Sequence, residues 1–171
     1  MKEIEFLDLV DEDDNVIDKD ERENIISSNQ KNYRVINIFI FNSEGKMIIP
    51  RRSSNRRIFP DCYDFSVGGH VSSRESYEEA AYKELREELG IENVILKEIG
   101  YFHPKDLNTS SFSKLYRLVY DGELNIDRDG ISEIHYFSID EIIELLKENP
   151  KKFKGDFKPL FEYYLSNLRI N

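Results

Sequence analysis

Apolar and polar residues alternate from Glu5 to Val10, the period of a half-buried strand. Asp11–Asn15 is turn chemistry and Val16-Ile17 returns as a short second strand, so the chain opens on a predicted β-hairpin. A polar stretch from Lys19 to Lys31 follows. Tyr33–Phe41, the turn Asn42-Ser43-Glu44-Gly45 and the run Lys46–Pro50 read as a second hairpin, and its Val, Ile and Phe content places it at the sheet centre. A basic loop from Arg51 to Arg57 then leads through Phe59-Pro60 to a short strand that Gly68-Gly69 stops.

The clearest helix begins at Ser76, which stands three residues before Glu79 in a capping-box spacing, and ends at Gly90, a left-handed cap after Leu89. Ala81, Leu85 and Leu89 recur every four residues and give it an apolar stripe. Val94–Phe102 and Phe112–Tyr120 continue the sheet, and Ile134–Phe137 is the last strand. A helix capped by Ser138 and Glu141 carries Ile142, Ile143, Leu145 and Leu146 and stops at Pro150. A final helix spans Phe157–Leu168. Without repeats, linkers or low-complexity tracts, the mixture of strands and helices predicts one layered α+β domain over residues 1–171, with a hairpin and polar extension at 1–31 and C-terminal helices at 138–171.

Composition narrows the partners. A chain of 171 residues, 39% hydrophobic and 12% aromatic, can bury one good core and is short for two. Lys and Arg number 24 against 34 Asp and Glu, a net charge of -10 that disfavours a nucleic-acid backbone or an anionic bilayer as partner. The longest apolar run, Val35–Phe41, is interrupted by Asn37 and is far too short to cross a membrane. The acidic first residues do not read as a secretion signal, so the expected location is the cytoplasm. Cys62 is the single cysteine; it can form no internal disulfide or zinc cluster and reads as a plain, half-buried thiol.

Glu84, Glu87 and Glu88 lie at helical spacings of three and four and share a narrow sector of the first long helix. Like charges so placed cost a few tenths of a kcal/mol per pair, and the C-terminal end of the helix dipole opposes them further. Two things could offset that cost. One is neutralisation by Lys83 and Arg86 on a solvated face; the other is a divalent cation, Mg2+ or Mn2+, which prefers such oxygen-only donors together with substrate phosphate.

The 23 residues Gly69–Ile91, GHVSSRESYEEAAYKELREELGI, resemble the box of the Nudix hydrolase family, G-x5-E-x7-R-E-U-x-E-E-x-G-U with U bulky and aliphatic. Gly69, Glu75, Glu84, Leu85, Glu87, Glu88, Gly90 and Ile91 fill their places, and Lys83 stands where the pattern has arginine. The resemblance implies an α/β/α sandwich with a mixed sheet between helices. It also implies a Mg2+ or Mn2+ ion held by Glu84, Glu87, Glu88 and a backbone carbonyl of the Gly68-Gly69 turn. The implied reaction is hydrolysis of a diphosphate linkage, in a nucleoside diphosphate derivative or similar small organic pyrophosphate, by water attack on phosphorus. Glu75 would brace the loop through Lys83, which keeps the charge of an arginine without its two-pronged geometry. The general base would be Glu84, Glu87 or the later Glu133, read as a loop residue just before the last strand. Arg51 and Arg52 would hold the distal phosphate and His70 would line its pocket. Phe59, Tyr63, Phe65 and Tyr101 read as core rather than as a stacking platform, and His103 and His135 as structural.

Over about residues 4 to 165 the chain also resembles the Nudix subgroup of type 1 isopentenyl-diphosphate isomerases and their bacterial relatives. The cues are Leu7–Asp14, Phe41–Lys46, Arg51-Arg52-Ser53 and Ser66–His70. That subgroup places a catalytic cysteine where this chain has Gly68, and draws metal ligands from early histidines, whereas His70 is the first histidine here and Cys62 lies six residues too early. Hydrolysis therefore ranks ahead of an isomerase-like reaction, and ahead of a non-catalytic nucleotide-binding module on the same fold, which only Lys83 supports. Substrate choice is expected to lie in the loops Arg51–Cys62 and His103–Ser111. The N-terminal hairpin either covers a sheet edge or pairs with a second copy in a homodimer.

Overall fold

A long central strand organises the computed structural model, which describes residues 4–167. The strands are β1 (Phe6–Val10), β2 (Val16–Glu21), β3 (Tyr33–Phe41), β4 (Met47–Arg52), β5 (Val67–His70), β6 (Lys97–Phe102), β7 (Ser111–Val119) and β8 (Ile131–Phe137). The helices are α1 (Arg22–Ser27), α2 (Tyr77–Leu89), α3 (Pro104–Leu107), α4 (Ile139–Glu148) and α5 (Phe157–Asn167), with a 3-10 turn at Pro150–Lys152. The sheet runs β6-β7-β3-β4-β8, with β5 also on β3, and β1-β2 forms a separate antiparallel hairpin. Among the described residues no helix is long and apolar enough to cross a membrane.

β3 pairs in parallel with β7 along its whole length, from Tyr33↔Ser111 to Phe41↔Val119. Its other edge is divided. β5 takes Val35–Ile38 antiparallel, whereas β4 meets β3 only at Phe41↔Met47. At the division the Ser66 hydroxyl accepts from the Ile40 amide at 2.9 Å and donates to the Ile48 carbonyl at 2.6 Å, so one buried side chain supplies hydrogen bonds that a continuous ladder would have made. Asn37, which breaks the apolar run, is buried in β3 and donates to Ser113 Oγ on β7 at 3.0 Å. The split frees β5 to turn at Gly68-Gly69 toward α2.

Two apolar layers sandwich the sheet. Ala80, Ala81, Leu85 and Leu89 of α2 pack with Ile36, Ile38, Ile40 and Val67, and α4 and α5 close the opposite face through Ile142, Phe157, Leu160 and Phe161 around Phe39 and Phe65. The mixed sheet flanked by helices and the N-terminal hairpin agree with the sequence reading. Several boundaries differ. The polar stretch from Lys19 contains the end of β2 and all of α1, because Ile25 buries completely against Leu7 and Leu9. β6 starts at Lys97 rather than Val94, and β8 starts at Ile131 rather than Ile134. Leu168, the expected end of the last helix, lies outside the described residues.

Asp14, in the left-handed region at φ 64, fastens the hairpin turn to the body. Its carboxylate accepts from Arg34 Nε at 2.7 Å, Tyr77 OH at 2.8 Å and Tyr101 OH at 2.9 Å. An Asp14→Asn variant tolerates the same backbone but removes the charge from a largely buried ion pair, so a loss of about 2 kcal/mol is expected. Denaturant unfolding measures the loss, and hydrogen exchange should accelerate in Phe6–Glu21 ahead of the main sheet.

Candidate functional site

α2 is pinned at both ends. Ser76 and Glu79 exchange both hydrogen bonds of a capping box, and Gly90 caps the other end at φ 65. With its apolar stripe buried, the helix carries Glu84 against the β5 turn. A Cβ built on Gly69 would fall 2.6 Å from Glu84 Oε1, so the residue is glycine because the carboxylate occupies the space of a side chain. Lys83 donates to Glu75 Oε2 at 2.8 Å and to Ser72 Oγ at 3.1 Å, while Glu75 also accepts from the Ser72 amide at 3.0 Å. The loop between β5 and α2 is thereby tied to the helix through the lysine that replaces the motif's arginine.

The carboxyls at this turn hold their protons more tightly than free ones, and burial is the first cause. Burial pushes Glu84 up to about 7, Glu87 adds to the shift, and Lys83, 4.0 Å away, opposes it. Glu88 is pushed up to about 8 by burial first, then by Glu84 and Asp64, against weaker pulls from Arg56 and the backbone amide of Gly68. Glu87 is exposed on the same helix face. Among the described residues no three His, Cys, Asp or Glu side chains stand close enough to hold a metal ion as they lie. The donor chemistry nevertheless fits a hard divalent cation: oxygen atoms only, two half-buried carboxylates with raised proton affinity, and a glycine turn whose backbone approaches one of them closely.

The other candidates from the sequence divide. Arg51 pairs with Glu133 in register across β4 and β8 and forms ion pairs at 3.6 Å with both Glu133 and Asp61. Glu133 therefore sits inside β8, not in the loop expected for it, and Arg51 and His135 engage it. The sequence reading failed there because Ser132-Glu133 interrupts the apolar pattern on the strand's exposed face. Arg52 gives its Nη1 to Asp64 Oδ2 at 2.7 Å and its Nε and Nη2 to the carbonyls of Ile58 and Phe59, so it braces the 58–59 loop. His70 packs beside Tyr33 with ring centroids 5.6 Å apart and accepts from Arg22 Nε at 3.3 Å. Burial, reinforced by Arg22, Lys154 and Lys83, holds it neutral with a pKa near 3.

Of the aromatics expected in the core, Phe65 is buried and Tyr63 half-buried, whereas Phe59 and Tyr101 are 41% and 48% exposed. Tyr101 stays outside because its hydroxyl serves Asp14, and Phe59 because it lies on the turn that Arg52 holds. His103 caps α3 by accepting from the Lys105 amide, and His135 stacks on Phe137. Cys62 is a half-buried thiol raised by burial, facing the Lys151 carbonyl at 3.6 Å.

Sequence reading missed Asp64 and Lys154. Asp64 is buried, bonded to Arg52, and acts on Glu88. Lys154 reaches it from the segment before α5, because the Tyr63 amide donates to the Lys152 carbonyl at 2.7 Å and the Lys154 amide to the Tyr63 carbonyl at 2.8 Å. No local pattern announces this pairing of segments some ninety residues apart; only the buried Phe153 and Phe157 flanking Lys154 hint that the segment is held inward.

The NUDIX domain family model matches residues 31–161. The chain is 40% identical over 169 residues to an uncharacterized Nudix hydrolase of Nostoc sp., covering 98% of this chain and 99% of the relative. It is 35% identical over 158 residues to a Nudix hydrolase of Deinococcus radiodurans, covering 91% of each. The crystal structure of DR0079 from Deinococcus radiodurans superposes with a TM-score of 0.86 at 34% identity, over 93% of this chain and 98% of that one.

Proposed function

We propose, from the premise that this chain belongs to the Nudix hydrolase family, which acts on nucleoside diphosphate derivatives, that it cleaves a diphosphate linkage in such a compound or a similar small organic pyrophosphate. The observation that carries this reading is the packing of Glu84 into the space of an absent Gly69 side chain, with Glu88 coupled to it at the same turn. Glu84, Glu87 and Glu88, with the Gly68 carbonyl, are the residues that would hold Mg2+ or Mn2+. When bound, the cation would supply neutralisation of the charge on the diphosphate oxygens. Lys83 and Glu75 fix the loop that presents the turn. Glu133 is engaged by Arg51 and His135, whereas Glu84 packs on the turn itself, so the base that accepts the proton of the attacking water is assigned to the box, to Glu84 or the exposed Glu87.

An isomerase-like reaction has less support. Gly68 offers no thiol at the turn, and the Cys62 thiol faces the Lys151 carbonyl. The test is a screen of nucleoside diphosphate derivatives and other organic pyrophosphates with Mg2+ and with Mn2+, reading phosphate release and product mass together. Chelation by EDTA should abolish turnover. Glu87→Gln should lower kcat/KM by about a hundredfold or more with the melting temperature little changed, since the residue is exposed. Turnover that survives EDTA, or a Glu87→Gln enzyme as active as the parent, would overturn the reading.

A further inference from the structure

The substrate's oxyanions need a cation with donors to spare beside the Gly68-Gly69 turn. Arg52 spends its Nε, Nη1 and Nη2 on Asp64 and two loop carbonyls, and Arg51, 3.6 Å from both Asp61 and Glu133, has its charge shared by two carboxylates on the β4–β8 side. Lys154 is different. Its Nζ lies 3.9 Å from Asp64 Oδ1, an ion-pair distance beyond hydrogen-bond reach, and 5.6 Å from the centre of the Phe65 ring. That ring in turn borders the metal-site turn, for a Cβ on Gly68 would stand 3.9 Å from Phe65 Cδ2. Both backbone hydrogen bonds to Tyr63 hold the segment in register, so the ammonium has a fixed root.

We propose that Lys154, held over Phe65 and beside Asp64, binds a phosphate oxygen of the substrate's diphosphate. The inference rests on the reaction proposed above. Asp64 and Asp156 keep the ammonium charged against the pull of burial, and it lies within electrostatic reach of Glu88. Diphosphate oxygens supply the acceptors that Asp64, at its present distance, does not. A compact ammonium suits this place as a point charge, because Asp64 already gives an oxygen to Arg52 and leaves the Lys154 donors for another acceptor.

Calorimetric titration with imidodiphosphate in the presence of Mg2+ tests this, using the full chain, Lys154→Gln and Lys154→Arg. Lys154→Gln is expected to weaken binding by about tenfold to a hundredfold, and Lys154→Arg by much less, because the charge survives. The parent's affinity should also fall more steeply with added salt than that of Lys154→Gln. In the unaltered protein, the 15N signal of the Lys154 ammonium, assigned by its absence from Lys154→Arg, should move on addition of the probe. Equal affinity for parent and Lys154→Gln, or an ammonium signal that ignores the probe, overturns the proposal even where the Gln variant melts early or fails to fold; Lys154 then only neutralises Asp64. If the parent itself fails to bind imidodiphosphate with metal present, the proposed reaction fails first and this contact with it.

Discussion

Gly69→Ala is expected to leave a protein that folds and melts like the parent and has lost about a hundredfold or more of its metal-dependent hydrolysis. Gly69 is not among the residues at positive φ, so alanine imposes no backbone strain there, and alanine is no worse than glycine in a strand. The added methyl meets the Cγ, Cδ and Oε1 of Glu84, the far end of a flexible side chain rather than backbone. The cheapest relief is for Glu84 to swing away from the turn. Stability is then nearly untouched while the carboxylate leaves the place where substrate and cation would meet it. Thermal melting and steady-state kinetics with Mg2+ separate the two effects. Full activity in Gly69→Ala would mean that Glu84 does not need its present place for the reaction.

Half of this site is legible in the sequence. The Ser76 and Glu79 cap, the Gly90 stop and the Ala81-Leu85-Leu89 stripe are local signals, and they locate α2 to within a residue. The glutamates follow at fixed helical spacing. What local pattern could not supply is the partner of each charge. Arg51 and Arg52 look alike as neighbours on a strand, yet a register shift lies between them and they serve different carboxylates on different segments. Lys154 reads as one lysine in a basic turn, and its meaning comes from a backbone bridge to Tyr63 that depends on where α5 packs. α1 gives no sequence signal for a related reason: Ile25 is its one buried residue, and it reaches the hairpin's small core. Long-range pairing, rather than composition, decides all these cases.

The same crowding that suits Glu88 to a cation should make it a burden on the free protein, and Glu88→Gln should expose this as a stability gain that appears only at high pH. Glu88 moves from an ordinary 4.5 to about 8 in the fold, and Glu84 to about 7. The folded state therefore holds more protons than the unfolded chain between pH 4.5 and about 8, so these groups make stability fall as pH rises through that window. Below it both carboxyls are neutral in either state and the penalty vanishes; above it the penalty is complete. Discounted for the solvent that still reaches Glu88, the cost is of the order of a few kcal/mol. In EDTA, Glu88→Gln should therefore melt with the parent near pH 4.5 and about 5 °C or more above it near pH 9. Mg2+ should reverse the order, raising the parent's melting temperature more at pH 9 than at pH 6, since a cation competes with protons for the carboxylates, and leaving the variant almost unmoved. Hydrolysis by Glu88→Gln should be lower by about a thousandfold, the usual exchange of stability for a charged site. Melting curves of the two proteins that stay parallel from pH 4.5 to 9, with equal responses to Mg2+, would show that Glu88 neither carries the strained charge nor meets the ion.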